Sequence, residues 1–254
     1  MTAISDDFIL ETENLTKSFG GFAAVRGVDL RVKRHSVHAL IGPNGAGKTT
    51  CFNLLTKFLK PSSGKIIYNG REITDLGPAA IAKMGLVRSF QISAVFTHLS
   101  AFENVRVALQ RKLGVAMKFW RPLSSLSTID EEARGLLDAV GLLPFSNIPA
   151  GELSYGRKRA LEIATTIALD PELMLLDEPT SGLGSEDIER VAALIRKASQ
   201  GRTIVMVEHN LGVVAGICDR VTVLQRGEIL AEGVYDSISK DPRVLEAYVG
   251  PEDE

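Results

Sequence analysis

The chain has 254 residues, of which 45% are hydrophobic and 24% are charged, and its formal net charge is -2. These values are typical of a soluble globular protein and argue against extensive disorder, and the lack of a basic surplus disfavours nucleic acid as a partner. Cys51 and Cys218 are too few for a disulfide framework and lack the spacing of metal ligands. The length allows one large α/β domain, or two small lobes around a shared core.

The pattern of the first residues does not predict a signal peptide. Residues 1–7 are acidic and lack the basic region and apolar core of a signal peptide. No uninterrupted apolar segment of the sequence is long enough to span a bilayer. We therefore expect a cytoplasmic chain whose membrane role, if it has one, comes through a partner protein.

The first part of the chain contains several strand-like segments. Residues 8–13 and 28–32 have strand patterns, with a Gly-Gly turn at 20–21 between them. Residues 66–70 read Ile-Ile-Tyr-Asn-Gly, an apolar run followed by a hairpin turn signal. These patterns predict an antiparallel β layer, which a plain doubly wound fold lacks.

Residues 42–49 read Gly-Pro-Asn-Gly-Ala-Gly-Lys-Thr and match the P-loop pattern at every fixed position. The apolar run at 37–41 suits a buried strand and residues 50–59 suit a helix, which is the context that the motif requires. Backbone N–H groups of such a loop surround phosphate oxygens, and the helix N-terminus adds its positive dipole end. The residues expected to hold the phosphates are Gly42, Asn44, Gly45, Gly47, Lys48, Thr49 and Thr50.

Two side chains of the loop have specific expected roles. Lys48 should reach the β- and γ-phosphates, and the hydroxyl of Thr49 should ligate Mg²⁺. A Gly-rich turn with no function would need neither group. The loop alone is compatible with a kinase or a GTPase, but the sequence has no Asn-Lys-x-Asp motif for reading guanine.

The second half of the chain alternates between helical and strand patterns. Helical patterns at residues 102–120 and 130–140 predict a small helical subdomain. Apolar strands separated by helical stretches then predict a largely parallel sheet covered on both faces. These strands lie at residues 173–177, 203–207 and 221–224, and residues 237–249 are expected to form a closing helix.

The strand at residues 173–177 ends in two adjacent carboxylates, those of Asp177 and Glu178. In a P-loop protein this strand lies beside the P-loop strand, so Asp177 can approach the Mg²⁺ held by Thr49. Glu178 can accept a proton from an attacking water. The alternative is a strand that simply ends in solvated acids.

Three further residues become candidates for the nucleotide site only because these motifs are present. Phe19 could stack on a base or pack in the core, and Gln91 could offer its amide oxygen to the metal or lie in a surface loop. His209 follows the apolar strand at 203–207, where its imidazole could reach the γ-phosphate or have a structural role.

A second anion-binding helix start is predicted at residues 153–159, which read Leu-Ser-Tyr-Gly-Arg-Lys-Arg. Ser154 is a good N-cap, and the N-terminus of a helix beside Gly156 presents donors to an anion. Simple capping with a basic first turn is the alternative. Because basic residues there oppose the helix dipole, a nearby anion is favoured.

Taken together, these motifs resemble those of the ATPase subunits of ATP-binding cassette (ABC) transporters. Residues 42–49 resemble the Walker A motif of that family, Gln91 its Q-loop and residues 153–157 its signature. Residues 173–178 resemble its Walker B motif and His209 its switch histidine. The motifs run in the family order across nearly the whole chain.

The resemblance implies an α/β fold: one ABC ATPase domain, residues 1–254, with a P-loop NTPase core, a mostly parallel sheet and an N-terminal antiparallel layer. It also implies a helical subdomain at about 92–160, which forms the groove for a permease helix, and a short C-terminal helical extension at about 237–254. The activity implied is Mg-dependent ATP hydrolysis.

The family site is shared between two subunits arranged head to tail. Ser154 and Gly156 would contact the γ-phosphate of the ATP bound to the other subunit, and Phe19 would stack on adenine. Glu178 would polarise water, and the metal would be held by Thr49, by Gln91 and by Asp177 through a water molecule.

The chain departs from the family pattern at three positions. Where signatures usually read Leu-Ser-Gly-Gly-Gln, Tyr155 replaces a glycine and Arg157 replaces the glutamine. In the loop at 181–184, Gly184 stands where aspartate is common, which removes a possible hydrogen bond across the dimer. Because Ser154 and Gly156 remain, we expect catalysis to survive.

The finer resemblance is to the branched-chain amino acid importer subgroup, through residues 20–21, 153–156, 231–233 and 247–250. It implies membrane permease subunits, a second ABC ATPase subunit in a homodimer or heterodimer, and indirectly an external substrate-binding protein. The chain would then lie on the inner face of the cell membrane. Alternatives are a lipopolysaccharide export ATPase, a non-transport cassette protein and a nucleotide-gated binding module with weak hydrolysis.

Overall fold

The computed structural model of the protein describes residues 7–89, 95–112 and 127–249. Its strands are β1 (Phe8–Phe19), β2 (Phe22–Val28), β3 (Arg31–Lys33), β4 (Val37–Ile41), β5 (Ser63–Tyr68), β6 (Arg71–Glu72), β7 (Leu86–Arg88), β8 (Leu173–Asp177), β9 (Thr203–Val207), β10 (Arg220–Gln225) and β11 (Glu228–Gly233). Its helices are α1 (Lys48–Leu55), α2 (Pro78–Lys83), α3 (Ala101–Lys112), α4 (Ser127–Ala139), α5 (Tyr155–Ala168), α6 (Ser185–Ala198), α7 (Leu211–Ile217), α8 (Tyr235–Ile238) and α9 (Pro242–Val249).

A six-stranded sheet forms the centre of the molecule, in the order β11-β10-β4-β9-β8-β7. The strands from β10 to β7 pair in parallel, and only β11 pairs antiparallel, with β10. The residues of β4, β8 and β9 are all buried, as the continuous apolar runs of these strands predict for a sheet covered on both faces. The predicted mostly parallel sheet is therefore confirmed.

A second sheet is wholly antiparallel and contains β2, β1, β5 and β6 in that order, with β3 also paired to β1. Gly20 and Gly21 form the turn between β1 and β2. The hairpin predicted at Asn69-Gly70 joins β5 to β6, and both turn residues have positive φ, 49° and 70°. Positive φ at both positions is what a two-residue hairpin turn requires. The predicted N-terminal antiparallel layer is confirmed. The single strand predicted at 28–32 is wrong, because β2 ends at Val28 and β3 begins only at Arg31.

Side-chain alternation along the central strands divides the hydrophobic core between two faces. In β4, Leu40 packs with the antiparallel sheet and α1, whereas Ala39 and Ile41 pack with α6 and α7 on the other face. A third cluster joins α3, α4 and α5, with Leu109, Leu137 and Leu161 at its centre. The helical region thus has an apolar core of its own.

The helix predicted at 102–120 begins at Ala101, and its residues 113–120 lie outside the described ranges; the helix predicted at 130–140 spans Ser127–Ala139. Two other helices differ more from their predicted bounds. The helix after the P-loop ends at Leu55 rather than at residue 59, because Lys57 turns into the left-handed region with φ 62°. The closing helix predicted at 237–249 is two helices, since Pro242 lacks an N–H group and starts a new one. Within the three described ranges, no helix is both long and apolar enough to cross a membrane.

His38 is a buried polar residue in the middle of the sheet. Its Nε2 lies 2.8 Å from Oγ1 of Thr222 on the neighbouring strand, and its Nδ1 has no hydrogen-bond partner among the described residues. Burial lowers the pKa of His38 from 6.5 to about 4, although the nearby Glu232 carboxylate raises it. The folded protein therefore holds this imidazole neutral where an unfolded chain would protonate it.

We expect His38 to make the protein less stable in mild acid. Below pH 6.5 the unfolded chain binds more protons at this residue than the folded chain does, so stability falls as the pH falls towards about 4. From about pH 7.5 to about pH 5, the wild type should lose about 2 kcal/mol more unfolding free energy than His38→Gln. Urea unfolding of both proteins at each pH measures this difference, and equal losses would contradict it.

Candidate functional site

The parallel pairing of β4, β9 and β8 brings three chemically important segments to one edge of the sheet. Residues 42–49 follow β4, Glu178 follows β8, and His209 comes shortly after β9. Since these strands run in the same direction, their carboxyl ends lie at the same edge of the sheet. The expectation that β8 lies directly beside the P-loop strand is wrong, because β9 pairs with both β4 and β8 and separates them. Open α/β sheets bind ligands at this edge.

The P-loop is held tightly by neighbouring backbone. Gly42 has φ 146°, and a Cβ atom there would lie 2.1 Å from the carbonyl oxygen of Leu224. Gly47 has φ 98°, and a Cβ atom there would lie 2.4 Å from the carbonyl oxygen of Ala24. Both positions therefore require glycine, and they fix the loop between β10 and β2.

The side chain of Lys48 folds back into the loop. Its Nζ donates to the carbonyl oxygens of Gly42, at 2.8 Å, and Pro43, at 3.0 Å. Lys48 is only 5% exposed, and this burial lowers its pKa, while the nearby Glu178 carboxylate raises it. The ammonium group thus lies inside the loop that is expected to surround phosphates.

Asp177 is buried and forms an ion pair with Arg88 at the end of the neighbouring strand β7. Nη2 of Arg88 lies 2.6 Å from Oδ2 of Asp177, and its Nη1 donates to Oδ1 of Asn53 at 2.7 Å. The rings of Phe52 and Phe58 each lie 5.1 Å from the guanidinium carbon. Burial raises the pKa of Asp177, although Arg88 lowers it.

Glu178 and His209 lie against each other. Oε1 of Glu178 is 2.8 Å from Nε2 of His209, and the two side chains are 22% and 46% exposed. Glu178 has φ 45°, an uncommon conformation for a residue other than glycine, and its N–H donates to the carbonyl oxygen of Val207. Backbone strain of this kind is frequent at functional sites.

Glu208 precedes His209 and is 2% exposed. One of its carboxylate oxygens accepts from the backbone N–H and hydroxyl of Thr180, and the other from the backbone N–H groups of His209 and Asn210. This carboxylate therefore joins the segment after β8 to the segment after β9.

The predicted signature lies at the start of α5. The hydroxyl of Ser154 accepts from the N–H of Arg157 at 3.5 Å and caps the helix, and a Cβ atom on Gly156 would lie 2.5 Å from the carboxyl group of Asp187. Among the described residues, no hydrogen bond or ion pair joins Ser154 or Gly156 to the P-loop. The signature segment and the P-loop are thus not joined by a polar contact through these two residues in the part of the chain that the structure describes.

The two unusual signature residues make contacts within their own chain. The guanidinium carbon of Arg157 lies 3.7 Å from the centroid of the Phe145 ring. The ring of Tyr155 packs beside Gly182, and its hydroxyl accepts from Nη2 of Arg159 at 3.0 Å. Tyr155 therefore connects the signature to the loop at 181–184.

Several predicted phosphate and base contacts face solvent. Phe19 is 47% exposed at the tip of the hairpin formed by β1 and β2, with Nζ of Lys17 5.1 Å from its ring centroid. At the P-loop, Asn44, Gly45 and Thr49 are exposed, and Thr50 is half-buried. Gln91 lies outside the described residues.

Sequence reasoning missed Arg88 and Glu208. Arg88 lies at the end of the short buried strand β7, where an arginine needs a partner. Glu208 directly follows the fully buried strand β9, and a carboxylate in that place equally requires donors. Neither partner is close in sequence, so no short motif reveals the pairing.

Comparison with known proteins agrees with this arrangement. Residues 25–181 match the family described as ABC transporter. The chain belongs to the ABC transporter family. It is an ATP-binding subunit of an ABC transporter, and membership of this family implies ATP hydrolysis.

Similar ABC proteins are named for amino acid transport. The chain is 41% identical over 249 residues to the high-affinity branched-chain amino acid transport ATP-binding protein BraF of Pseudomonas aeruginosa, covering 95% of this chain and 98% of that protein. It is 37% identical to LivG of Escherichia coli, which has the same description, again covering 95% of this chain and 98% of that protein.

Solved ABC cassettes have the same fold. A nucleotide-free ATP-binding cassette from an ABC transporter has a TM-score of 0.82 and 30% identity, covering 96% of this chain and 99% of that chain. The ABC cassette MJ0796, solved as a dimer in a post-hydrolysis state with ADP and Pi, has a TM-score of 0.75 and 26% identity, covering 89% and 99%. ABC cassettes thus bind nucleotide and form dimers.

The residues of this ABC site fit a magnesium ion. Oδ1 of Asp177 is buried and has no hydrogen-bond partner among the described residues. Carboxylate oxygens are ligands that Mg²⁺ prefers, and the exposed Thr49 hydroxyl at the start of α1 is a second oxygen donor.

We expect the Arg88 and Asp177 pair to matter strongly for stability. Arg88→Met leaves a buried carboxylate unpaired and should lower the unfolding free energy by about 3–5 kcal/mol. Adding Asp177→Asn removes that charge and should restore part of the loss. Denaturant unfolding of the single and double variants measures both effects.

Arg31→Met provides the control, because Arg31 is 68% exposed in its 3.6 Å ion pair with Glu11. Its loss should cost less than about 1 kcal/mol. Equal costs for the Arg31 and Arg88 variants would contradict our interpretation of the buried pair.

Proposed function

We propose that the chain is the Mg-dependent, ATP-hydrolysing subunit of an ABC importer for branched-chain or related amino acids. The observation that carries the enzymatic part is the contact between Glu178 and His209, at 2.8 Å, on the sheet edge that holds the P-loop. The amino acid part is supported by the similarity to BraF and LivG along nearly the whole chain.

In this proposal the nucleotide binds across the P-loop and the first hairpin. The loop N–H groups and the Lys48 ammonium hold the β- and γ-phosphates, because both are donors in a confined place. Phe19, whose ring is exposed at the hairpin tip, stacks on the adenine.

Thr49 and Asp177 would hold the magnesium ion, Asp177 through a water molecule, and Gln91 is proposed as a further ligand. A bound magnesium ion neutralises charge on the phosphate oxygens. The 2.6 Å contact with Arg88 fixes the orientation of the Asp177 carboxylate.

Glu178 acts as the general base in this scheme. Its carboxylate is partly exposed, so a water molecule can reach it and lose a proton to it. His209 orients this carboxylate through Nε2 and is placed to contact the γ-phosphate. With its strained backbone, Glu178 has its side chain against His209.

A second ATPase subunit completes the site. Ser154 and Gly156 have no polar contact with the P-loop of their own chain among the described residues, yet their helix N-terminus is suited to an anion. They are proposed to contact the γ-phosphate of the ATP held by the partner ATPase. A homodimer and a heterodimer both satisfy this geometry.

A groove beside β7, the edge strand of the central sheet, is the proposed permease site. It has a volume of about 710 Å³ and is lined by residues of α2, β7, α3 and α5. Phe58 and Phe96, which are 50% and 58% exposed, give it apolar walls. We propose that the helical subdomain, at about 92–160, receives the permease there, which holds the chain on the inner face of the membrane. A substrate-binding protein would deliver the amino acid from outside.

We expect Glu178→Gln to abolish steady-state ATP hydrolysis, with kcat reduced at least about 100-fold, because an amide cannot accept the proton. ATP binding should persist, since the P-loop is unchanged, and ATP with Mg²⁺ should then trap a dimer. Phosphate release measures the first effect, and light scattering after size exclusion measures the second.

The control is Glu72→Gln, which makes the same change on the exposed strand β6. It should hydrolyse ATP like the wild type and trap no dimer. Wild-type protein that binds ATP yet never hydrolyses it would overturn the enzymatic proposal and support a nucleotide-gated binding module.

Affinity purification of the chain from detergent-solubilised membranes tests the transport proposal. We expect a permease and an external binding protein of an amino acid importer, together with one or two ATPase species, identified by mass spectrometry. Lipopolysaccharide export components would contradict the amino acid assignment. Recovery of DNA or ribosomes without a permease would contradict transport.

A further inference from the structure

Glu208 is a buried carboxylate whose hydrogen-bonding capacity is fully used. Its Oε1 accepts from the Thr180 N–H at 3.0 Å and from the Thr180 hydroxyl. Its Oε2 accepts from the N–H groups of His209, at 2.8 Å, and Asn210, at 3.0 Å. A carboxylate offers about four acceptor positions. All four are therefore occupied, and every donor belongs to the two segments beside the site.

These bonds fix the position of His209 from both directions. Asn210 caps α7, because its side chain accepts from the N–H of Val213 at 3.1 Å. His209 is therefore the single residue between the buried Glu208 and a capped helix. The backbone carrying the imidazole has little freedom to turn away from Glu178.

The same carboxylate also fixes the segment that carries Glu178. Thr180 is 4% exposed and lies two residues after Glu178, whose own N–H is bound to Val207. Hydrogen bonds to an ionised carboxylate are roughly twice as strong as those between neutral groups. Glu208 is thus a strong connection between the two loops.

We propose that Glu208 is a positioning residue for ATP hydrolysis, which holds His209 within hydrogen-bond distance of Glu178. The inference rests on the proposed ATPase function. Glu208 does not contact the reacting atoms and acts only through His209.

Glu208→Gln is the sharpest test, because it keeps the size of the side chain and removes half of its acceptors. Whichever way the amide turns, its NH₂ group faces at least one backbone N–H, so at least one of the Thr180, His209 and Asn210 amides loses its partner. A small displacement of a catalytic group lowers kcat, and we expect a loss of about tenfold with KM for ATP changed less than about twofold.

A double-mutant cycle with His209→Ala separates positioning from general structure. If Glu208 acts through His209, Glu208→Gln should lower the single-turnover hydrolysis rate less than about twofold in the His209→Ala background. Single-turnover measurements over long times keep slow variants measurable. An equal reduction in both backgrounds would overturn the proposal.

Amide hydrogen exchange gives a readout that does not depend on activity. In Glu208→Gln, exchange should accelerate in peptides containing residues 180 and 209–210, and stay unchanged in the P-loop. Unchanged exchange at both segments would contradict the proposal.

Thr180→Val is the second variant, in case Glu208→Gln fails to fold. It removes only the hydroxyl donor, and it should lower kcat by about twofold with His209 present and have no effect without it. The matched control is Asp219→Asn, since the Asp219 carboxylate also accepts a hydrogen bond from a backbone N–H, that of Val37. Val37 begins β4, at the end of the strand away from the P-loop. The control variant should leave kcat unchanged.

The outcomes separate this inference from the proposed function. A wild type without ATPase activity contradicts the function itself. An active wild type whose kcat is unaffected by Glu208→Gln and Thr180→Val overturns only the role of Glu208.

Discussion

The parallel pairing of β4, β9 and β8 is the constraint on which the site depends. Backbone hydrogen bonds set the register of these strands. Each strand is followed by one of the candidate site segments, and all three segments lie at the same edge of the sheet. The P-loop, His209 and Glu178 are far apart in sequence and meet only through this pairing. The apolar runs that bury these strands on both faces therefore also bring the candidate site residues together.

Strands and motifs of this chain are readable from sequence, because both have short-range signals. The bounds of β4, β8 and β9 coincide with the runs predicted from the sequence, since strands buried on both faces are mostly apolar along their whole length. The Asn-Gly turn after β5 is equally local. The early end of α1 is not readable, because Lys57 adopts its left-handed conformation without the usual glycine.

The parts that sequence does not reveal are the buried charges. Arg88 and Asp177 are 89 positions apart, and Glu208 and Thr180 are 28 apart. No periodicity links such residues, because their pairing follows from strand order and not from spacing. The candidate site residues have short-range signals in the sequence, whereas the buried partners Arg88 and Glu208 become visible only when the strands are assembled.

The inward fold of Lys48 has a consequence for nucleotide affinity. Its ammonium group already lies out of water, between two carbonyl oxygens of its own loop. The cost of desolvating this charge is therefore met when the chain folds, and it does not recur when ATP arrives. If Lys48 holds the phosphates as proposed, binding would exchange two neutral acceptors for an anion around a preorganised cation, and preorganisation of this kind raises affinity without adding contact area.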